Sequence, residues 1–229
     1  MINAMRHAIV TGASSGIGAA VARRLLVAGW RITGFDLSPV TIDADAYRHV
    51  IVDLTDSAAR LAAVDGAGPV NGLVHAAGIM RGGRLGELDM AAGELMWRLH
   101  VEAAIALADR LAPQMTAGGR IVMIGSRAGQ RGVAAKSQYG AAKAALAGLA
   151  RSWAKELALR GITVNVVAPA ATDTAMLADP ARSAIPMEMP PIGRLIRPEE
   201  IAGLVAYLFS EDAAAITGQD IAICGGSSL

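Results

Sequence analysis

Tyr139-Gly140-Ala141-Ala142-Lys143 sets a phenol and an amine four residues apart. On a helix that spacing puts both groups on one face. A free phenol ionises near about pH 10, and an adjacent ammonium favours the phenolate and lowers that value. A phenol tuned in this way exchanges a proton with a substrate oxygen near neutral pH. Ser126 follows the apolar run Arg120–Ile124, and its hydroxyl is suited to hold the same oxygen. Each feature alone is ordinary, since Tyr-x-x-x-Lys pairs arise by chance and serines are common in turns.

A second group of residues sits near the start of the chain. Thr11-Gly12-Ala13-Ser14-Ser15-Gly16-Ile17-Gly18 lies between a strand-like run and a helix-like segment. Glycines so placed permit a tight turn, close approach of backbone to a pyrophosphate, and tight helix–sheet contact. The helix start contributes free N–H groups and the positive end of its dipole. Asp36 comes at about the distance expected for an acid that accepts hydrogen bonds from the adenosine ribose. Such a carboxylate repels a 2′-phosphate. Leu37 rather than a basic residue follows it, and Ser14 and Ser15 carry no charge. The expected cofactor is therefore NAD rather than NADP, and its nicotinamide cation would act on Tyr139 in the same direction as Lys143.

The elements that must position these groups can be read from the apolar pattern. Strands are expected at His7–Val10, Arg31–Phe35, Val50–Val52, Gly72–His75, Arg120–Ile124, Thr163–Val167 and Asp220–Ile223. Helices are expected at Ile17–Ala28, Met90–Met115, Ser137–Arg160 and Pro198–Phe209, the first three stopped by Gly29, Gly118-Gly119 and Gly161. Strands alternating with helices indicate βαβ units and a parallel sheet covered on both faces, an α/β fold of the doubly wound kind. No repeat, linker or boundary interrupts residues 1–229, which are expected to form one domain. The segment Asp36–Val50 is too short for a helix with its turns, so that crossover is expected to be a loop. Residues 174–197 are the expected substrate loop; within them Leu177–Pro191, with four prolines, is the least regular stretch.

Bulk properties narrow the class. Hydrophobic residues make up 53% of the 229 and aromatics 3%, so the core must be built from Ala, Val, Leu, Ile and Met. A net charge of +1 gives no reason to expect nucleic acid or an anionic membrane as partner. No apolar run approaches the roughly 20 residues of a membrane helix. Met1 to His7 runs almost directly into a strand without a secretory signal. The single Cys224 excludes an intramolecular disulfide framework and a Cys-based zinc site, so the cytoplasm is the expected compartment and no metal is expected. His7, His49 and the three tryptophans show no spacing that suggests a metal or redox site.

Taken together, these motifs resemble the short-chain dehydrogenase/reductase family over essentially the whole chain. The resemblance rests on Thr11–Gly18, Asp36, Asp53-Leu54, His75-Ala76-Ala77-Gly78, Ser126, Tyr139 with Lys143, Asn165 with Pro169 and Thr172, and Gly225-Gly226. It implies a Rossmann-type sheet in the order 3-2-1-4-5-6-7 and a homotetramer, or a dimer, built on the two long helices. By the same resemblance Tyr139 is the acid/base, Lys143 binds the nicotinamide ribose and lowers the phenol's pKa, and Ser126 orients substrate. Gly12, Ser14, Ser15, Gly16, Ile17 and Gly18 would cradle the cofactor and Asp36 its ribose. Asp53 would hold the adenine amino group, with Leu54 near the ring. Ala77 and Gly78 would line the cofactor. Val167–Thr172, including Pro169, would floor the nicotinamide, with Thr172 at the carboxamide.

The chain departs from the family pattern in places. An Asn usual in the helix before the fifth strand is here His100, able to bind water or relay a proton or simply to pack. The usual Asn-Asn-Ala-Gly is His75-Ala76-Ala77-Gly78, and the usual Pro-Gly is Pro169-Ala170. Met176, Leu177, Ile185, Met187 and Met189 make the substrate loop apolar and favour an uncharged secondary or cyclic alcohol. Arg127, Gln130, Arg131 and Lys136 leave room for a polyol or an anion. The leading expectation is an NAD-dependent oxidoreductase acting on a small secondary alcohol or ketone. The alternatives are an NADPH-dependent ketoacyl or sugar-type carbonyl reductase and a catalytically silent dinucleotide-binding scaffold. Intact Ser126, Tyr139 and Lys143 argue against the last.

Overall fold

The computed structural model describes residues 5–179 and 187–228. Seven strands form one parallel sheet in the order β3-β2-β1-β4-β5-β6-β7, as expected. They are β1 (His7–Thr11), β2 (Arg31–Asp36), β3 (Tyr47–Ile51), β4 (Gly72–His75), β5 (Arg120–Ile124), β6 (Thr163–Pro169) and β7 (Asp220–Ile223). The α-helices are α1 (Gly16–Val27), α2 (Ser57–Asp65), α3 (Met90–Trp97), α4 (Ala103–Leu111), α5 (Arg127–Arg131), α6 (Ser137–Leu157), α7 (Ala175–Ala178) and α8 (Pro198–Leu208).

Side chains that alternate along a strand feed opposite faces of a sheet. Ile9, Leu73, Ile121 and Met123 pack on one face with Leu107 and Leu111 of α4 and Leu146 and Leu157 of α6. Val10, Val74 and Val122 pack on the other with Val21 and Leu25 of α1 and Ile201 and Val205 of α8. Double coverage explains why the central strands read as unbroken apolar runs. Leu107 and Leu146 are fully buried, and burial of one such side chain stabilises the fold by about 1.5–3 kcal/mol.

The structure departs from expectation in several places, the short helices α5 and α7 among them. β3 spans Tyr47–Ile51, not Val50–Val52, because its backbone pairs with Ile32–Asp36 of β2. This is an edge strand with half-exposed residues, so apolar content does not mark its start. α2 was not expected. Its apolar stripe is thin, with only Arg60 and Val64 buried. Its signal is instead Asp56, whose carboxylate accepts from the N–H groups of Ala58 and Ala59 as an N-cap.

The expected single helix Met90–Met115 is interrupted. α3 and α4 are joined by a π-helical turn, Arg98–Glu102, and a 3₁₀ turn follows at Ala112–Gln114. A π-turn inserts an extra residue into the helical repeat and often lies at a functional site. Residues 37–46 between β2 and β3 form no helix, in line with the short spacing. Ile185, Pro180 and Pro186 of the expected substrate loop lie outside the described residues.

Candidate active site

The strand order reverses between β1 and β4, and ligands of open α/β sheets bind at the carboxyl ends of strands flanking such a point. A cleft of about 580 Å³ opens there. Its walls include Gly12, Ser15, Gly16, Ile17, Gly18, Asp36, Asp53, Leu54, Ala77, Gly78, Ser126, Tyr139, Lys143, Pro169 and Thr172. Residues spread over most of the sequence are thereby brought together. Two expected residues do not reach the wall. Ser14 turns inward, donating its hydroxyl to the Ser38 carbonyl. His100 is fully buried behind Gly78.

The glycine turn is shaped for close approach. Gly12 has φ +69°, and a Cβ there would stand 2.9 Å from the Ala77 Cα. A Cβ on Gly18 would stand 2.0 Å from the Gly12 carbonyl oxygen, so α1 sits directly against the turn. Ser15 caps α1 without using its side chain, which leaves the first helical N–H groups directed toward the cleft.

Asp36 is held from both sides. Its Oδ2 accepts from the Ser14 N–H at 2.8 Å and its Oδ1 from the Ser38 N–H at 2.8 Å. Asp53 Oδ1 accepts from the Thr55 N–H and hydroxyl, and these bonds hold its carboxyl below the usual range. This end of the cleft presents two carboxylates, and the lining contributed by residues 12–18, 35–38 and 52–55 holds no Lys or Arg. That arrangement fits a nucleotide with free ribose hydroxyls and an amino-bearing base.

At the other end stand the groups that could move a proton. Ser126 lies two residues past the end of β5, and its hydroxyl accepts from the Ala128 N–H as the N-cap of α5. Tyr139 and Lys143 lie on α6 on one helical face, as their spacing requires, with the ammonium 6.0 Å from the ring centre. Lys143 Nζ donates to the Ile124 carbonyl at 2.8 Å. Burial brings this ammonium down to about 7, because a charge loses its hydration there.

Two histidines tie the π-turn to the end of β4. Thr11 Oγ1 accepts from the N–H groups of both Ala76 and Ala77 and lies 3.1 Å from His75 Nδ1. His75 Nε2 faces the Leu99 carbonyl at 3.1 Å. Burial first, then the Lys143 charge, lowers His75 to about 3, so the ring is neutral. A carbonyl only accepts, so Nε2 carries the proton and Nδ1 accepts from Thr11.

The same logic fixes His100. Burial, followed by the Lys143 charge, holds it well below its ordinary value. Its Nε2 lies 2.8 Å from the Ile79 carbonyl and must therefore be the N–H donor. Its Nδ1 is a buried acceptor without a partner among the described residues. The ring meets Tyr139 edge-on, with centroids 5.7 Å apart.

Reading the sequence identified the phenol, amine, hydroxyl and acids. It missed the Thr11–His75–Leu99 link, because a hydrogen-bond chain between distant segments leaves no spacing signal. It also missed Thr174 as part of the cleft wall.

A second chamber of about 210 Å³ adjoins the cleft and shares Ser126, Tyr139, Pro169, Ala170, Thr174 and Met176 with it. Met80, Val133, Leu177 and Met187 give it apolar walls, and Arg127, Arg131, Lys136 and Glu188 line it as well. Ser126 and Tyr139 thus stand where a dinucleotide cleft and a smaller chamber meet. The described residues contain no group of three or more metal-ligating side chains. No helix among them is long and apolar enough to cross a membrane.

Comparison with known proteins gives a consistent picture. A family model described as Enoyl-(Acyl carrier protein) reductase matches residues 12–228. The chain is 36% identical to 3-oxoacyl-[acyl-carrier-protein] reductase FabG of Escherichia coli, covering 96% of each chain. It is 41% identical to cis-4-hydroxycyclohexanecarboxylate dehydrogenase of Sinomonas cyclohexanicum, covering 97% of this chain and 96% of the other. A solved short-chain dehydrogenase from Burkholderia cenocepacia in complex with NADP superposes with a TM-score of 0.86 at 32% identity, covering 98% of each chain. With its sheet order, its cleft at the strand reversal and these matches over nearly the full length, the chain belongs to the short-chain dehydrogenase/reductase family of oxidoreductases.

Proposed function

We propose that the protein is an NAD(H)-dependent oxidoreductase that interconverts a small secondary alcohol and its ketone, with Tyr139 as the general acid/base. The observation that carries this reading is the placement of Ser126 and Tyr139 on the wall shared by the long cleft and the small chamber, with Lys143 beside them in the cleft. A bound dinucleotide would supply the hydride-exchanging ring. The glycine turn and the start of α1 would hold its phosphates, Asp36 its adenosine ribose, and Asp53 with Leu54 its adenine. Pro169 and Thr172 would floor the nicotinamide, and Ala77 and Gly78 would flank it.

The chain's own residues handle the proton and the position of the substrate. In the oxidative direction the substrate hydroxyl gives its proton to the Tyr139 oxygen; in the reductive direction Tyr139 returns one to the carbonyl oxygen. Ser126 hydrogen-bonds that same oxygen and fixes its distance from the phenol. Lys143 supports the phenolate electrostatically and would bond to the nicotinamide ribose. His100 acts at one remove: its N–H holds the Ile79 carbonyl and its ring supports Tyr139 edge-on. It is a positioning residue in this reading.

NAD(H) is preferred because the adenosine end of the cleft offers Asp36 and no cation to meet a 2′-phosphate. The second reading is an NADPH-dependent ketoacyl or sugar-type carbonyl reductase. It is favoured by the similarity to the E. coli 3-oxoacyl reductase and to the Burkholderia structure holding NADP. The Sinomonas dehydrogenase, named for a cyclic secondary alcohol, supports the first reading. A silent scaffold is disfavoured by the intact Ser126, Tyr139 and Lys143. The proposal includes a cytoplasmic setting and a homotetramer or dimer built on the long helices. Trp97 of α3 and Ile105 of α4, exposed by 43% and 40%, give apolar surface for such an assembly.

Tyr139→Phe removes only the proton-transferring hydroxyl. Turnover of alcohols or ketones, followed by NADH absorbance, is expected to fall at least about 100-fold while NADH binding is largely kept; unchanged turnover would show that another group moves the proton. Parallel fluorescence titrations are expected to give NADH at least about tenfold tighter binding than NADPH, with Asp36→Ala narrowing the gap. Tighter NADPH binding would favour the ketoacyl reductase reading. His100→Asn, which keeps an N–H donor for the Ile79 carbonyl, is expected to retain more kcat than His100→Ala. Equal kcat in all three proteins would assign His100 to packing alone.

A further inference from the structure

Arg127 is a cation in search of an anion. It follows Ser126 directly and lines the small chamber. One of its terminal N–H groups donates to the neutral Gln130 side chain. Its Nε is buried and has no hydrogen-bond partner among the described residues. No carboxylate among those residues lies within ion-pair distance of it. Asp220 is joined to this network through Gln130, whose Nε2 donates to its backbone carbonyl at 3.3 Å; its side chain makes no ion pair with Arg127, and its Oδ1 is likewise buried without a hydrogen-bond partner among the described residues.

The rest of the chamber sharpens the charge argument. Glu188 is the only carboxylate among the described lining residues, and it is bound to Arg131, which also donates to the Ser227 carbonyl. The Arg127 guanidinium therefore has no carboxylate within ion-pair distance among the described residues, in a partly buried position where leaving it unmatched is costly. Its planar fork suits a carboxylate, which can accept two parallel hydrogen bonds from it. The opposite requirement comes from the apolar walls, where Met80, Val133 and Met176 suit a hydrocarbon body. At about 210 Å³ the chamber is smaller than the roughly 300–1,000 Å³ of sites for drug-sized ligands.

We infer that the substrate is a compact hydroxy or oxo acid whose carboxylate is bound by Arg127 while its alcohol or ketone oxygen faces Tyr139 and Ser126. This rests on the reaction proposed above and adds the substrate's charge and the residue that reads it. It also revises the expectation of an uncharged substrate drawn from the methionines of the loop. Those side chains account for the substrate's hydrocarbon body but not for an uncompensated guanidinium next to Ser126.

The test separates recognition from reaction. Cyclohexanecarboxylate and cyclohexanecarboxamide have no group to oxidise or reduce, so their binding to the full chain with NADH present, followed by calorimetry, reports on the chamber alone. The acid is expected to bind about 10- to 100-fold more tightly than the amide. Arg127→Gln is expected to abolish that preference and Arg127→Lys to keep part of it, with circular dichroism confirming that both variants are folded. The matching reactive pair is 4-oxocyclohexanecarboxylate and 4-oxocyclohexanecarboxamide, whose kcat/KM ratio is expected to collapse toward one in Arg127→Gln. Equal affinity for acid and amide in the unaltered protein, or a preference that survives Arg127→Gln, would overturn the inference. An acid preference lost in Arg127→Gln without turnover of either ketone would uphold the anion site and count against the proposed reaction.

Discussion

Side by side, the ends of β1 and β4 bring the backbone of Gly12 so near Ala77 that a Cβ on Gly12 would stand 2.9 Å from the Ala77 Cα. This close approach occurs where the sheet order turns back on itself, and the rest of the site depends on it. Parallel pairing carries Thr11 opposite His75. Beyond that pair the chains must separate into a glycine turn on one side and the 76–78 turn on the other. Thr11 holds the second turn by accepting two of its N–H groups. The cleft lies above these two turns, with the start of α1 at one wall and Tyr139 and Lys143 at the other.

Electrostatics divides the cleft along its length. The adenosine end presents Asp36, held rigidly by two backbone N–H donors, and Asp53. The other end contains the buried Lys143 ammonium, which donates to the Ile124 backbone carbonyl. A buried cation paired with a dipole rather than a carboxylate sits far below its ordinary pKa; burial first, and the field of this cation second, keep His75 and His100 neutral. Neutral rings can each give one N–H to a carbonyl, which is how His75 and His100 secure Leu99 and Ile79 around the π-turn. His100 thus gives an N–H to a backbone carbonyl and sets an aromatic edge against Tyr139.

Most of this architecture could be anticipated from residues alone. Strands buried on both faces leave unbroken apolar runs, and glycines mark the helix ends, so the sheet order and the long helices followed from pattern together with the family resemblance. The acid at the end of β2 and the Tyr-x-x-x-Lys pair were equally visible, because their chemistry depends on residue type and short spacing. What escaped notice depends on distance in three dimensions. The π-turn at Arg98–Glu102 has no composition of its own. α2 buries little and shows itself only through its Asp56 cap. The charge state of His100 follows from full burial beside Lys143, and the isolation of Arg127 from the pairing of its neighbour Arg131 with Glu188. None of these can be inferred from sequence separation.

The central claim is that one wall gathers a phenol, a hydroxyl and an ammonium beside a bound nicotinamide. The most direct measurement is a crystal structure of the protein grown with NADH. The account predicts the adenosine ribose on the Asp36 carboxylate and the C4 carbon of the nicotinamide facing the space between the Tyr139 and Ser126 oxygens. A dinucleotide bound in any other place, or a Tyr139 oxygen turned away from the nicotinamide ring, would contradict it.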